Sequence, residues 1–115
     1  MKYKLIKKFS KRKIQNILLS NKIEEYGEVA LSLGEYCLDF EYAQKMLLKL
    51  FHKTDDDEIK SYCVLGLAYL ARRFEKLSNT AINIIEAEAL RESKWCWRAQ
   101  DALDDVKIFL KIDTH

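Results

Sequence analysis

Apolar residues recur along this chain at helical spacing, in stretches separated by short polar breaks. The pattern predicts six helices. The first covers residues 11–19 behind Ser10 as its cap, and Ser20-Asn21 supplies turn-favouring side chains after it. The second covers residues 23–38. Its apolar face holds Tyr26, Val29, Ala30, Leu33, Tyr36 and Cys37 at i, i+3, i+4, i+7 spacing. Asp39 caps a third, 40–52, with Ala43, Met46, Leu47 and Leu50 inward. Thr54 or Asp55 caps a fourth that runs to about residue 74 and is apolar almost all the way round, as in VLGLAYLA. A helix of that kind has to be enclosed by neighbours. Ser78 or Asn79 caps a fifth to about residue 90, and Ser93 opens a sixth to about residue 112.

These helices are joined by short connections, which pairs them antiparallel: 10–38, 39–76 and 78–112. Equivalent positions recur about every 35 residues, the length of a helix-hairpin repeat that stacks into a short solenoid. A compact six-helix bundle is the alternative. Gly27 and Gly34 stand one heptad apart on one side of the second helix. Interior glycine costs roughly 1 kcal/mol against alanine, so two at that spacing mark a close approach by another helix, or else a helix that frays.

Composition agrees with an all-α chain. The 115 residues contain no proline and 3 glycines, with 49% hydrophobic and 33% charged. Sheet folds with many turns recruit more Gly and Pro, and a chain of this length is normally one domain, here 1–115. No apolar run approaches the roughly 20 residues that span a bilayer. The basic start is not followed by a signal-peptide apolar region. The expected compartment is the cytoplasm.

The net charge of +2 conceals an asymmetry. Residues 1–13 carry seven basic side chains and no acid, so the 13 basic and 18 acidic residues of 14–115 leave that body at −5. Tyr3 and Phe9 interleave with the lysines of the basic arm, as in a nucleic-acid contact. Leu5, Ile6 and Phe9 equally make the arm amphipathic enough to dock on the first helix pair. Specific nucleic-acid binding is the weaker expectation, because such an arm gives salt-sensitive, nonspecific contacts.

Reactive arrangements are missing from the sequence. It has no glycine-rich phosphate loop, no GxSxG, no HExxH and no cysteine with a histidine partner, so no catalytic residue is assigned. Cys37, Cys63 and Cys96 are far apart without nearby histidines and read as free thiols rather than metal ligands. The Asp55-Asp56-Asp57-Glu58 run suits a helix N-terminus, where the dipole favours negative charge, and lacks the alternation and glycine of a calcium loop. Neither a metal nor another cofactor is expected.

The sixth helix divides into two faces. Trp95, Ala99, Ala102, Leu103, Val106 and Leu110 fall on one side. Trp97, Asp101, Asp104, Asp105 and Ile108 fall on the other, an aromatic residue within a carboxylate rim, as protein interfaces often have. Opposite the core face of the second helix lie Glu24, Glu28, Leu31 and Glu35. Regular stacking would place the second, fourth and sixth helices on one surface, adding Tyr62 and Tyr69 to these acids. That surface would repel nucleic acid and suit a basic protein.

The run from Asp57-Glu58-Ile59-Lys60 through Cys63-Val64-Leu65-Gly66-Leu67-Ala68-Tyr69-Leu70-Ala71-Arg72 resembles the second half of a HEAT-like repeat. Arg98-Ala99-Gln100-Asp101-Ala102-Leu103-Asp104-Asp105-Val106 resembles the closing helix of small bacterial HEAT-like proteins of about this length. Some of these are immunity proteins of contact-dependent growth inhibition or related polymorphic toxin systems. The resemblance covers roughly residues 39–110, and the lysine-rich start departs from it. It implies a non-enzymatic cytosolic protein that occludes a cognate toxin, expected to be a basic nuclease domain, with Glu24, Glu28, Glu35, Tyr62, Tyr69, Trp97, Asp101, Asp104 and Asp105 as partner-binding residues. A general HEAT-like adaptor is the other protein-binding reading. The oligomeric state is left open.

Overall fold

A computed structural model describes residues 6–111. It contains α1 (Lys11–Leu19), α2 (Tyr26–Tyr36), α3 (Phe40–Lys53), α4 (Asp57–Phe74), α5 (Asn79–Leu90) and α6 (Cys96–Phe109), with no strand among the described residues. Three caps form where the sequence puts them. Ser10 Oγ accepts from the Lys13 N–H, Asp39 from the Tyr42 N–H, and Ser78 Oγ from the Ala81 N–H. Each satisfies a backbone donor that the helix itself leaves over.

Several boundaries differ from the sequence reading. Residues Ile23–Glu25 form a 3₁₀ turn, and α2 begins only at Tyr26. Ile23 faces solvent while Tyr26 is buried, so the core sets the register one turn later than the apolar pattern suggests. The cap of α4 is Asp56, which accepts from the Glu58 and Ile59 N–H groups. Thr54 serves as the C-cap of α3 and takes the Asp56 N–H on its hydroxyl. Ser93 Oγ accepts from the Trp95 N–H in a turn, which delays α6 to Cys96. Because α2 ends at Tyr36, that residue and Cys37 escape full burial.

Helix α4 is the axis of the molecule. It packs against α2 on one flank, α6 on the other, and α3 behind. Its buried residues include Cys63, Val64, Leu67, Leu70 and Ala71, as its apolar circumference requires. The α2–α4 crossing is built from small residues. A methyl group on Gly34 would lie 2.5 Å from the Gly66 carbonyl oxygen, and one on Gly66 would lie 2.6 Å from that of Ala30. The glycine spacing thus marks a close approach, though Gly66, absent from the heptad pair, is its centre. Arg73 reinforces the seam by donating to the Gly34 and Cys37 carbonyls at 2.8 and 2.7 Å.

The remaining helices close the core. Ile14, Ile17 and Leu18 come from α1, Ala43, Met46, Leu47 and Leu50 from α3, Ala81 and Ile85 from α5, and Ala99, Ala102 and Val106 from α6. Gln44 accepts the Ser78 N–H at 2.8 Å, tying α3 to the start of α5. Arg91 at the end of α5 bridges Glu88 and Asp57. Helix α4 packs on both α2 and α6, so these three helices form one layer. The radius of gyration, 13.3 Å, matches the roughly 13 Å of a compact fold of this length.

Part of the basic arm docks. The Phe9 N–H donates to Ser32 Oγ on α2 at 3.1 Å, and Lys7 pairs with Glu28 at 3.4 Å. Tyr3 and Leu5 lie outside the described residues.

Candidate partner-binding face

Along α4 the outward row is Glu58, Tyr62, Leu65, Tyr69 and Arg72, at i, i+4, i+7, i+11 and i+14. All are half-buried or exposed, as expected of one helical stripe. Each neighbour meets this row. From α2, Gly27 backs onto the Tyr62 ring, whose Cδ2 lies 2.8 Å from where an alanine methyl would sit. Glu35 of the same helix binds Arg72 at 2.8 Å. From α6, Arg98 reaches the Tyr62 ring and Ser61. The second, fourth and sixth helices do share one surface, and the close α2–α4 crossing is what brings α2 onto it.

The acidic side chains of this surface are not equivalent. Glu24 belongs to the exposed 3₁₀ turn rather than to α2. Glu28 pairs with Lys7, and Glu35 pairs with Arg72, whose guanidinium also lies 5.0 Å from the Tyr69 ring centre. Asp101, Asp104 and Asp105 are exposed and make no ion pair among the described residues. The α2 carboxylates are thus met by cations of the chain itself, whereas those of α6 have no ion-pair partner among the described residues. Trp97 and Ile108, 52% and 69% exposed, lie among the latter.

Arg98 holds the aromatic part of the face together, and the sequence reading assigned it no role. Its guanidinium lies 4.3 Å from the Trp95 ring centre, 4.6 Å from that of Tyr62 and 5.2 Å from that of Trp97. It donates to Ser61 Oγ at 3.0 Å and stands 3.9 Å from the Glu58 carboxylate, with its side chain only 14% exposed. Cation–π attraction on several rings grows as water is excluded, so Arg98 links Trp95 and Trp97 to Tyr62 of α4. The available signal was its position three residues after Trp95, which puts it on the α4 side of the helix.

Cys63 is buried in the core, where desolvation pushes its thiol up to about 12. No group of three or more His, Cys, Asp or Glu suited to a metal ion occurs among the described residues. A cleft of about 360 Å³ between the α1–α2 and α3–α4 connections is lined by Asn21, Tyr26, Lys53, Thr54, Asp55 and Asp56 among others, none of them a residue of the face. No described helix is long and apolar enough to cross a membrane.

No family model matches the sequence, and no curated protein matches it. Among solved structures, the chain is similar to one in the crystal structure of a CDI complex from Cupriavidus taiwanensis LMG 19424, with a TM-score of 0.80 and 28% identity. The match covers 95% of this chain and 97% of that one. It includes the first helix pair, which the sequence resemblance covered poorly.

Proposed function

We propose that this chain is an immunity protein of a contact-dependent growth inhibition system, and that it neutralises a cognate toxin by binding it rather than by chemistry. The observation that carries this reading is the near end-to-end similarity to a chain of a CDI complex. The face composition supports the inhibitor role over the toxin role. It offers aromatic residues, carboxylates without an ion-pair partner among the described residues and an arginine enclosed by rings, a set suited to recognition.

The partner-binding surface in this reading is the α2–α4–α6 layer, with Glu24, Glu28, Glu35, Tyr62, Tyr69, Trp97, Asp101, Asp104 and Asp105. The toxin is a basic, nuclease-type domain. Its phosphate-binding lysines and arginines meet the carboxylates, and the protein occludes its active site. Charge complementarity of this kind speeds association and excludes acidic partners. The chain acts in the cytoplasm, where an incoming toxin would reach its substrate.

The test is capture of the tagged protein from its own host, read by mass spectrometry and repeated in high salt, followed by co-expression. Recovery near one-to-one of a single basic protein with a toxin-like C-terminal domain is expected. That domain should arrest growth when expressed alone and fail to do so beside this chain. Recovery of nucleic acid only, lost in high salt and lost without residues 1–13, would transfer the function to the basic arm.

A further inference from the structure

Within that face, and resting on the toxin-binding reading, we infer that binding concentrates on one outward row of α6 and that the row takes a pair of basic side chains. Trp97, Asp101, Asp104 and Ile108 recur at i, i+4, i+7 and i+11, one stripe down the helix about 16 Å long. Its two ends are apolar and exposed, and its middle is two carboxylates, with Asp105 beside them. None of the three acids has an ion-pair partner among the described residues. An apolar–acid–acid–apolar row fits lysine or arginine. Such side chains lay an aliphatic stem along Trp97 or Ile108 and carry their charge to the centre.

The other acids of the face are less able to serve. A cation approaching Glu28 or Glu35 has to displace Lys7 or Arg72. On α6 no ion pair among the described residues has to be broken first. Arg98 adds the second requirement of a strong contact, which is order before binding. Arg98 is itself held among Trp95, Tyr62 and Trp97 and bonded to Ser61, so the side of the Trp97 ring that rests on it is ordered before a partner arrives. We therefore assign Arg98 as a positioning residue that acts through Trp97. Lys7 and Lys11 of the basic segment are paired with Glu28 and Asp39, while Lys8, Arg12 and Lys13 are exposed and make no ion pair among the described residues, so a second copy of this chain is the competing occupant that the experiment has to separate.

The experiment titrates the full ¹⁵N-labelled chain with a tetra-arginine peptide and, separately, a tetra-glutamate peptide. The chain has 2 tryptophans, so two indole N–H signals report, and Trp97→Phe assigns them. Tetra-arginine should shift the Trp97 indole saturably, and tetra-glutamate should not. Asp101→Asn/Asp104→Asn should weaken the peptide about tenfold, as two partly desolvated ion pairs would. Glu28→Gln/Glu35→Gln should change it less than about twofold. Arg98→Met should raise acrylamide quenching of Trp97 in a Trp95→Phe background and weaken the peptide with all carboxylates present. The inference is overturned by an unmoved Trp97 signal, by equal response to both peptides, by greater sensitivity to the α2 pair, or by a peptide-free shift that tracks dimerisation. Its failure is separable from failure of the toxin-binding reading. A captured toxin held equally well by the Asp101→Asn/Asp104→Asn variant sinks only the α6 row, while a peptide that binds as described without any toxin partner sinks only the immunity role.

Discussion

Replacing Gly34 with alanine tests whether the α2–α4 seam sets the shape of the face. The added methyl would stand 2.5 Å from the Gly66 carbonyl oxygen and 2.7 Å from the Gly66 Cα. Ordinary contact begins near 3.4 Å, so the two backbones must part by most of an ångström, since neither has a side chain that can swing away. A radial gap of 0.5–1 Å forfeits a quarter to a half of the dispersion attraction along its walls. Overpacking a tight core costs about 1–3 kcal/mol, and this rigid site belongs at the upper end. Helix propensity returns about 1 kcal/mol on Gly→Ala. The net is a loss of about 2 kcal/mol, or roughly 8 °C in Tm for a chain of this size. Gly27→Ala is the internal control. There the methyl meets Cδ2 of Tyr62 at 2.8 Å, the ring of a half-buried side chain that can shift, so gain and cost cancel to within about 0.5 kcal/mol. Urea unfolding followed by far-ultraviolet circular dichroism, with equal m-values required, measures both. A Gly34→Ala variant as stable as the parent, or equal losses at the two sites, would refute the reasoning.

Three further outcomes follow from local chemistry. Asp39 accepts the Tyr42 N–H and pairs with Lys11 at 2.9 Å, which together hold its carboxyl below the usual range; its folded pKa is therefore lower than its unfolded one, so its stabilisation is complete above about pH 4 and is lost as pH falls through the folded value. Asp39→Asn should flatten that acid limb of a stability-against-pH curve, and an unchanged limb would exclude the pairing. Cys63, buried and with its thiol raised to about 12, should resist a thiol reagent at pH 8 in the folded protein while the half-buried Cys37 and Cys96 react; three equivalents should appear only in denaturant, and rapid native labelling of all three would contradict the packing. Glu75 ends α4 in the left-handed region at φ 55°, a conformation costing a non-glycine residue about 1 kcal/mol or more. Glu75→Gly should therefore raise stability by up to about 1 kcal/mol in thermal or urea melts, and a loss would show that another interaction holds that turn.

The helix count and the caps at Ser10, Asp39 and Ser78 were legible because both depend on neighbours in sequence. An i, i+3, i+4 apolar pattern and a cap acting within three residues need no tertiary knowledge. The misplaced boundaries have the opposite origin. Whether α2 starts at Ile23 or Tyr26 depends on which apolar residue the core accepts, and the Ser93 turn displaces α6 because its hydroxyl finds the Trp95 N–H before a helix can begin. Gly27 and Gly34 announced a close approach, but Gly66 sits in another helix, and a pairing of backbones across the fold leaves no trace in either local pattern.

The same distinction separates the parts of the face. That Trp97, Asp101, Asp104 and Ile108 point outward follows from a helical wheel, and the fold places them there. That the acids of α2 and α6 differ in available charge does not, because Glu28 and Glu35 are answered by Lys7 and Arg72, residues 21 and 37 positions away. A surface read from sequence is a list of charges. The fold turns it into a list of charges still unspent, and that shorter list governs recognition, since a partner gains little from a carboxylate that must first release an internal cation. Arg98 shows the converse. As a basic residue beside an acidic row it would count against binding a basic partner. Enclosed by three aromatic rings and bonded to Ser61, it is instead turned largely away from solvent, and what it offers the proposed partner is the Trp97 ring resting on it rather than its charge.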